Sequence, residues 1–281
     1  GAGSSMADYR IGFKWWALII AVVFVISELV CVACVPERPV ACDEKPGKIS
    51  DMFKALFKND QAMTVVVSII LVYTSLNICG NLVLYFFRFD VGNEGAYSIF
   101  AAVAFAAQVL VMMVIPLLRK RFSKSQLFIS GFVIQIAGFA VILIMAFAKL
   151  YTPQSWYILC LPGILIYLGY GMLNVIMTIF LSDSVDYGEV MNGTREESVI
   201  FSMQTFTVKL ASGVAVFLAG LVVDWIHLDT AAAVQTQDTL DALRMWMTIP
   251  SVILLIVGIF VFKRFYKLDD TRMEEIKSKL N

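Results

Sequence analysis

The chain has 281 residues, 59% apolar and 16% charged, and its 22 basic side chains balance 22 acidic ones. That composition excludes a soluble globular domain, and no nucleic-acid partner is expected of it. Cys31-x-x-Cys34 has no second pair and no histidine beside it, so it reads as small helix-packing residues and not as a metal or redox site.

Seven apolar runs are long enough to cross a bilayer, which takes about 20 helical residues. They lie at 13–35, 62–87, 95–118, 126–148, 156–181, 199–223 and 244–265. The expected fold class is an all-α integral membrane protein with seven transmembrane helices. The opening stretch, "GAGSSMADYRIGFKWW", does not show the basic n-region, apolar core and cleavage site of a signal peptide.

The connection over 36–61 opens with prolines and then places Ile49, Met52, Phe53, Leu56 and Phe57 at helical spacing. Lys48, Lys54 and Lys58 fall on the other face. It reads as a linker followed either by an amphipathic helix on the inner leaflet or by a simple lead-in to the second span. The third-to-fourth connection, "PLLRKRFSKSQ", is short and basic, as anchoring to anionic lipid requires. The tail over 266–281 alternates in sign and reads as a solvated helix or frayed end.

Basic residues gather in those three segments and at the end of the last span, including Arg38, Arg119, Lys120, Arg121, Lys124, Lys263, Arg264, Lys267 and Arg272, while the alternate connections hold Arg88, Lys149 and Arg244. Positive charge stays on the cytoplasmic side, so the carboxyl terminus is expected inside and the amino terminus outside. Trp15, Trp16, Trp156, Trp225 and Trp246 then all fall at outer ends, where indoles settle. An outside start with an odd number of spans leads to the expectation that further chain precedes the first one.

Polar residues inside the spans recur at steps of three and four, and so mark one face of each helix. The second span carries Thr74, Asn77, Asn81 and Tyr85. The fifth carries Tyr167, Tyr170, Asn174 and Thr178, and the sixth Ser198, Ser202, Thr205, Lys209 and Ser212. Each stripe can glue helices together, but three of them on alternate spans point to a shared polar cavity. Gln108 and Gln135, alone on their spans, read as packing contacts. Lys209 lies about 15 Å from either end of its span at 1.5 Å per residue. An insertion cost of about 2.5–3.5 kcal/mol calls for a carboxylate, water or both around it. Asp183 and Asp186 end the fifth span, Gly188 reads as its stop, and Arg195, Glu196 and Glu197 lead into the sixth. Asp186 is placed to pair with Arg195, so this acidic loop is either a solvated segment or a charged latch.

"SDSVDYGE", "TREES", "FSMQT" and "VK" resemble the loop and eleventh helix of the glycoside–pentoside–hexuronide:cation symporters, the melibiose-carrier-like branch of the major facilitator superfamily. "NICGNLVLYFF" resembles that family's seventh helix, and "PLLRKRFSK" its eighth-to-ninth loop. The resemblance implies that the seven spans correspond to helices six to twelve of a twelve-helix carrier. Residues 1–35 would hold the last helix of an amino-terminal bundle, 36–61 the cytoplasmic interdomain linker, 62–265 a six-helix carboxyl-terminal bundle and 266–281 a cytoplasmic tail.

It further implies a non-enzymatic function, the symport of a sugar, glycoside or sugar acid with a cation, Na+ or H+, across a bacterial inner membrane. No cofactor or catalytic residue is implied, and the absent amino-terminal bundle would be the chief partner. Lys209 matches the family's intramembrane lysine, and Gln204 and Thr205 match residues close to sugar and cation. With Asn174, Tyr170 and Asn77 they form the expected cavity. Asp183, Asp186 and Arg195, with Glu197, resemble its cytoplasmic gate charges. A carrier of lysolipids or other amphiphiles on the same fold would want a greasier cavity, and a seven-helix receptor would want Asp-Arg-Tyr after its third span.

Overall fold

The computed structural model describes residues 6–34, 57–193, 195, 197–232 and 234–280. Seven of its helices, among the described residues, are long and apolar enough to cross a membrane, in register with the seven expected runs. The chain divides into two units, Gly1–Gly47 and Lys48–Asn281. The first contains α1 (Met6–Cys34), a single apolar helix with Trp15, Trp16 and Glu28 on it. The expected amphipathic helix at Ile49–Leu56 lies outside the described residues.

The second unit contains α2 (Asp60–Tyr85), α3 (Ala96–Leu118), α4 (Lys124–Phe147), α5 (Cys160–Asn192), α6 (Glu197–Trp225), α7 (Gln237–Phe265) and a short α8 (Asp270–Leu280). Polar caps start several of them. The Asn59 side chain accepts from the Ala62 amide, Ser123 and Gln126 form a capping box, and Thr236 caps α7. We call the end where α2, α4 and α6 begin basal, and the end where α3, α5 and α7 begin apical.

α2 packs on α6 and α7 and more lightly on α5; α5 packs on α3 and α4; α4 packs on α7. Exchanging α2 with α5, α3 with α6 and α4 with α7 leaves this pattern unchanged. A three-helix unit crosses the membrane an odd number of times, so its repeat is inserted upside down, as in the inverted repeats of transporter folds. The α4–α5 crossing is close because it is made on glycine: a Cβ on Gly169 would sit 2.5 Å from the Gly131 carbonyl oxygen.

Two buried ion pairs follow the same exchange. At the basal end Lys124, first residue of α4, meets Asp183 near the end of α5, with side chains 8% and 7% exposed. At the apical end Arg244, the eighth residue of α7, meets Asp90 just past the end of α2, with side chains 3% and 4% exposed. A five-residue π-helical stretch, Phe86–Asp90, carries Asp90 to that position.

Several expectations are corrected. α5 does not stop at Gly188. It runs for 33 residues to Asn192, about 50 Å at 1.5 Å per residue, and ends where Gly193 turns to φ 73°. Gly188 is instead a contact point, since a Cβ there would lie 2.8 Å from the Asn59 amide nitrogen. The 266–281 segment is not merely solvated, because α8 buries Met273 and Ile276 beside Tyr187 and Val190 of α5. Arg119 and Lys124 are more than lipid anchors, for both bind Asp270 of α8. Arg244, counted with a connecting loop, lies inside α7 and is buried. Gln135, by contrast, agrees with its expectation as a packing contact, fully buried at the α4–α5 crossing.

Candidate functional site

α2 is buried on most of its circumference, and the side left open carries Tyr73, Asn77, Gly80, Asn81 and Leu84. α5 opens Tyr167, Asn174, Thr178 and Ser182. Of the predicted stripes, Thr74 departs: it points into the packed interior, 6% exposed, while Tyr170 is nearly covered at 9%.

α6 shows why its polar residues fall together. One side, with Ile200, Thr207, Ala211, Ala215, Ala219 and Val222, is buried, and the alanines four residues apart let the helix approach closely. Its exposed surface splits in two. Phe206, Leu210 and Phe217 form an apolar sector, and Ser198, Ser202, Thr205 and Lys209 a polar one. A helix exposing two such sectors meets two solvents, lipid on one side and a wet or protein-lined space on the other. Lys209 stands in the polar sector, exposed, with no ion-pair or hydrogen-bond partner among the described residues.

Cross-helix hydrogen bonds join the predicted cavity residues. The Asn174 amide donates to the Tyr73 hydroxyl at 2.5 Å, and Gln204 donates to the Thr178 hydroxyl at 3.5 Å. Asn77 and Asn81 donate to carbonyls one turn back on α2, at 2.7 Å each, which leaves their amide oxygens free to accept. Thr205 bonds back to Phe201 at 3.4 Å. Tyr73 was not among the residues expected from the sequence, although it stands four positions before Asn77, at the spacing of the stripe. Toward the apical end a cavity of about 550 Å³ opens between α2 and α6, lined by Asn81, Tyr85, Phe217, Gly220 and Asp224 among others.

The expected gate charges form two clusters, not one. Arg195 gathers Asp186 at 3.1 Å, Glu189 at 2.8 Å and Glu197 at 3.3 Å. These carboxylates push its guanidinium pKa up, the Glu189 hydrogen bond most. Asp183 is not part of that group. It lies one helical turn earlier, is buried, and pairs with Lys124. Lys124 and Arg119 also hold Asp270, at 3.4 and 3.2 Å. Partial burial alone would raise the Asp270 carboxyl, but the Arg119 hydrogen bond and both positive charges bring it below its ordinary value. Tyr266 is pushed up by burial and then by the charges of Asp183 and Asp270. Glu189 was missed because the helix was expected to end before it.

At the apical end Arg244 binds Asp90 in a forked pair, at 2.8 and 2.5 Å, and adds Asp241 at 2.7 Å. The Tyr151 hydroxyl donates to Asp90 at 2.7 Å; burial and the Asp90 charge raise its pKa.

The family described as MFS/sugar transport protein matches residues 3–270. Among similar proteins, an uncharacterized symporter of Bacillus subtilis is 25% identical over 254 residues, covering 90% of this chain and 54% of its own length. The raffinose carrier protein of Pediococcus pentosaceus is 24% identical over 284 residues, covering 99% and 43%. The isoprimeverose transporter of Lactiplantibacillus pentosus is 25% identical over 272 residues, covering 96% and 54%. The chain spans about half the length of these curated relatives. Across nearly its whole length it is an all-α integral membrane protein, and it belongs to the MFS/sugar transport protein family.

Proposed function

We propose that this chain is the carboxyl-terminal portion of a carrier that moves a sugar, glycoside or sugar acid together with a cation by alternating access. The observation that carries the reading is the polar open side of α2, α5 and α6 in an otherwise apolar bundle, with Lys209 upon it. Similarity to a raffinose carrier and an isoprimeverose transporter supports the substrate class. Lys209, Gln204, Thr205, Asn174 and Asn77 would line one wall of the cavity, with Tyr170 packed behind them, and an amino-terminal bundle would form the other.

The coupling ion in this reading is Na+ or H+. The basal end, rich in Arg119, Lys120, Arg121 and Lys124, faces the cytoplasm of a bacterial inner membrane, carboxyl terminus inside. There Arg195 with Asp186, Glu189 and Glu197 forms the exposed gate cluster, where its contacts can be exchanged for those of an opposing bundle. No covalent bond is made or broken.

The test is uptake into proteoliposomes. The carrier formed with an amino-terminal bundle should accumulate a labelled sugar such as raffinose when an inward Na+ or pH gradient is imposed, and the 281-residue chain alone should not. Ion-driven accumulation by the isolated chain would overturn the half-carrier reading. Accumulation of lysolipid in place of sugar would move the function to the amphiphile carriers.

A further inference from the structure

Tyr73 is held at three points on the open side of α2. Its carbonyl accepts the Asn77 amide at 2.7 Å, its hydroxyl oxygen accepts the Asn174 amide of α5 at 2.5 Å, and its ring meets the Tyr170 ring edge-to-face at 5.5 Å and 77°. Tyr170 in turn leans on Tyr167 at 6.5 Å. A half-buried aromatic fixed in this way loses little further freedom when a ligand settles on it. The phenol oxygen accepts from Asn174 and also neighbours the Tyr170 hydroxyl, so the Tyr73 hydroxyl is held at the rim of the ring, where a ligand can exchange for the tyrosine contact.

A pyranose matches that arrangement. It offers a C–H face to an aromatic plane and a rim of hydroxyls to donors and acceptors, which here are the Tyr73 hydroxyl and the free amide oxygens of Asn77 and Asn81. We infer that Tyr73 is the stacking platform for a pyranose ring of the substrate and that Asn174 is a positioning residue which aims it. This rests on the sugar-transport reading and narrows it to cyclic pyranosides, with acyclic polyols excluded. Asn174, counted from the sequence as a substrate contact, acts through Tyr73.

The experiment compares uptake of raffinose, lactose and isoprimeverose by the complete carrier, with sorbitol as the acyclic competitor. Tyr73→Ala should raise KM for the transported pyranoside about tenfold with little change in kcat, from the combined loss of aromatic stacking and one hydrogen bond. Tyr73→Trp should stay within about threefold, because stacking is kept. Tyr73→Leu, which keeps bulk without an aromatic face, should behave as Tyr73→Ala. Asn174→Ala should match Tyr73→Phe and add nothing to it, and sorbitol should not compete.

Equal KM for Tyr73→Leu, Tyr73→Trp and the parent overturns the platform while leaving the transport reading intact. Effective competition by sorbitol does the same. A parent carrier that takes up none of the three sugars overturns both. Tyr73→Leu and Tyr73→Trp decide the matter even where Tyr73→Ala fails to fold.

Discussion

Asp90 and Arg244, 154 residues apart in sequence, close on each other through two parallel hydrogen bonds at the apical end of the bundle. Lys124 and Asp183, 59 residues apart, meet at the basal end through a single hydrogen bond, with the cation now first in the chain. Removing one partner of such a pair strands the other charge, at about 3–5 kcal/mol, whereas replacing both by apolar groups is far milder. Arg244→Ala and Asp90→Asn should therefore each destabilise the chain strongly in detergent unfolding, and Asp90→Leu with Arg244→Met should recover most of the loss. Single variants as stable as the parent would show that water reaches the pair.

The two basal clusters should answer differently to neutralisation. Asp183→Asn leaves Lys124 buried without its closest counter-charge, so stability should fall clearly, but by less than the about 3–5 kcal/mol of a fully stranded charge, because Asp270 still faces the ammonium. Asp186→Asn removes one of three carboxylates around an Arg195 side chain that is 48% exposed, so stability should change by less than about 1 kcal/mol. In the complete carrier Asp186→Asn should instead raise thiol-reagent access to cysteines placed along the cavity from the cytoplasmic side. Unchanged access with normal uptake would reduce the cluster to a solvated surface.

Lys209→Ala should leave insertion and folding intact, or ease them by up to about 2.5–3.5 kcal/mol, since this ammonium has no partner among the described residues to lose. The same variant should abolish coupled uptake by the complete carrier. Lys209→Arg should restore only part of it, because a planar guanidinium replaces a compact charge. Normal uptake by Lys209→Ala removes the lysine from the site.

Docking of α8 should depend on acid. The Asp270 carboxyl is held below its ordinary value of 3.8 in the folded chain, so the protonated form binds less well than the ionised one. The contribution is complete above that value and is lost as pH falls through the lowered one. Limited proteolysis within 270–280 should be slow at pH 6 and accelerate below about pH 4. Arg119→Ala should bring the same cleavage to neutral pH, and insensitivity to both changes would show that Met273 and Ile276 hold the helix unaided.

The seven spans were legible because each is an apolar run bounded by caps or basic residues, and hydropathy needs no tertiary contact to be read. The pairing of Asp186 with Arg195 was legible for a similar reason, since nine residues and one turn join them. Lys124 with Asp183 was not, because nothing local distinguishes a buried lysine at a helix start from the lipid-facing basic residues around it. The end of α5 was misplaced at Gly188, where glycine serves a close approach to Asn59 and not a left-handed turn. Tyr73 escaped because periodicity finds polar side chains on a face and does not report which aromatic a neighbouring helix will grip.

The apical pair also sets a timetable for biogenesis. At about 5–20 residues per second the ribosome needs about 8–30 s to follow Asp90 with Arg244, against about 3–12 s between Lys124 and Asp183. During that interval the nascent chain carries a carboxylate at the membrane without its counter-ion, so α2 has reason to remain in the shelter of the insertion machinery until α7 arrives. A chain interrupted before residue 244 keeps that charge bare for good, which gives cellular quality control a chemical difference between finished and unfinished copies.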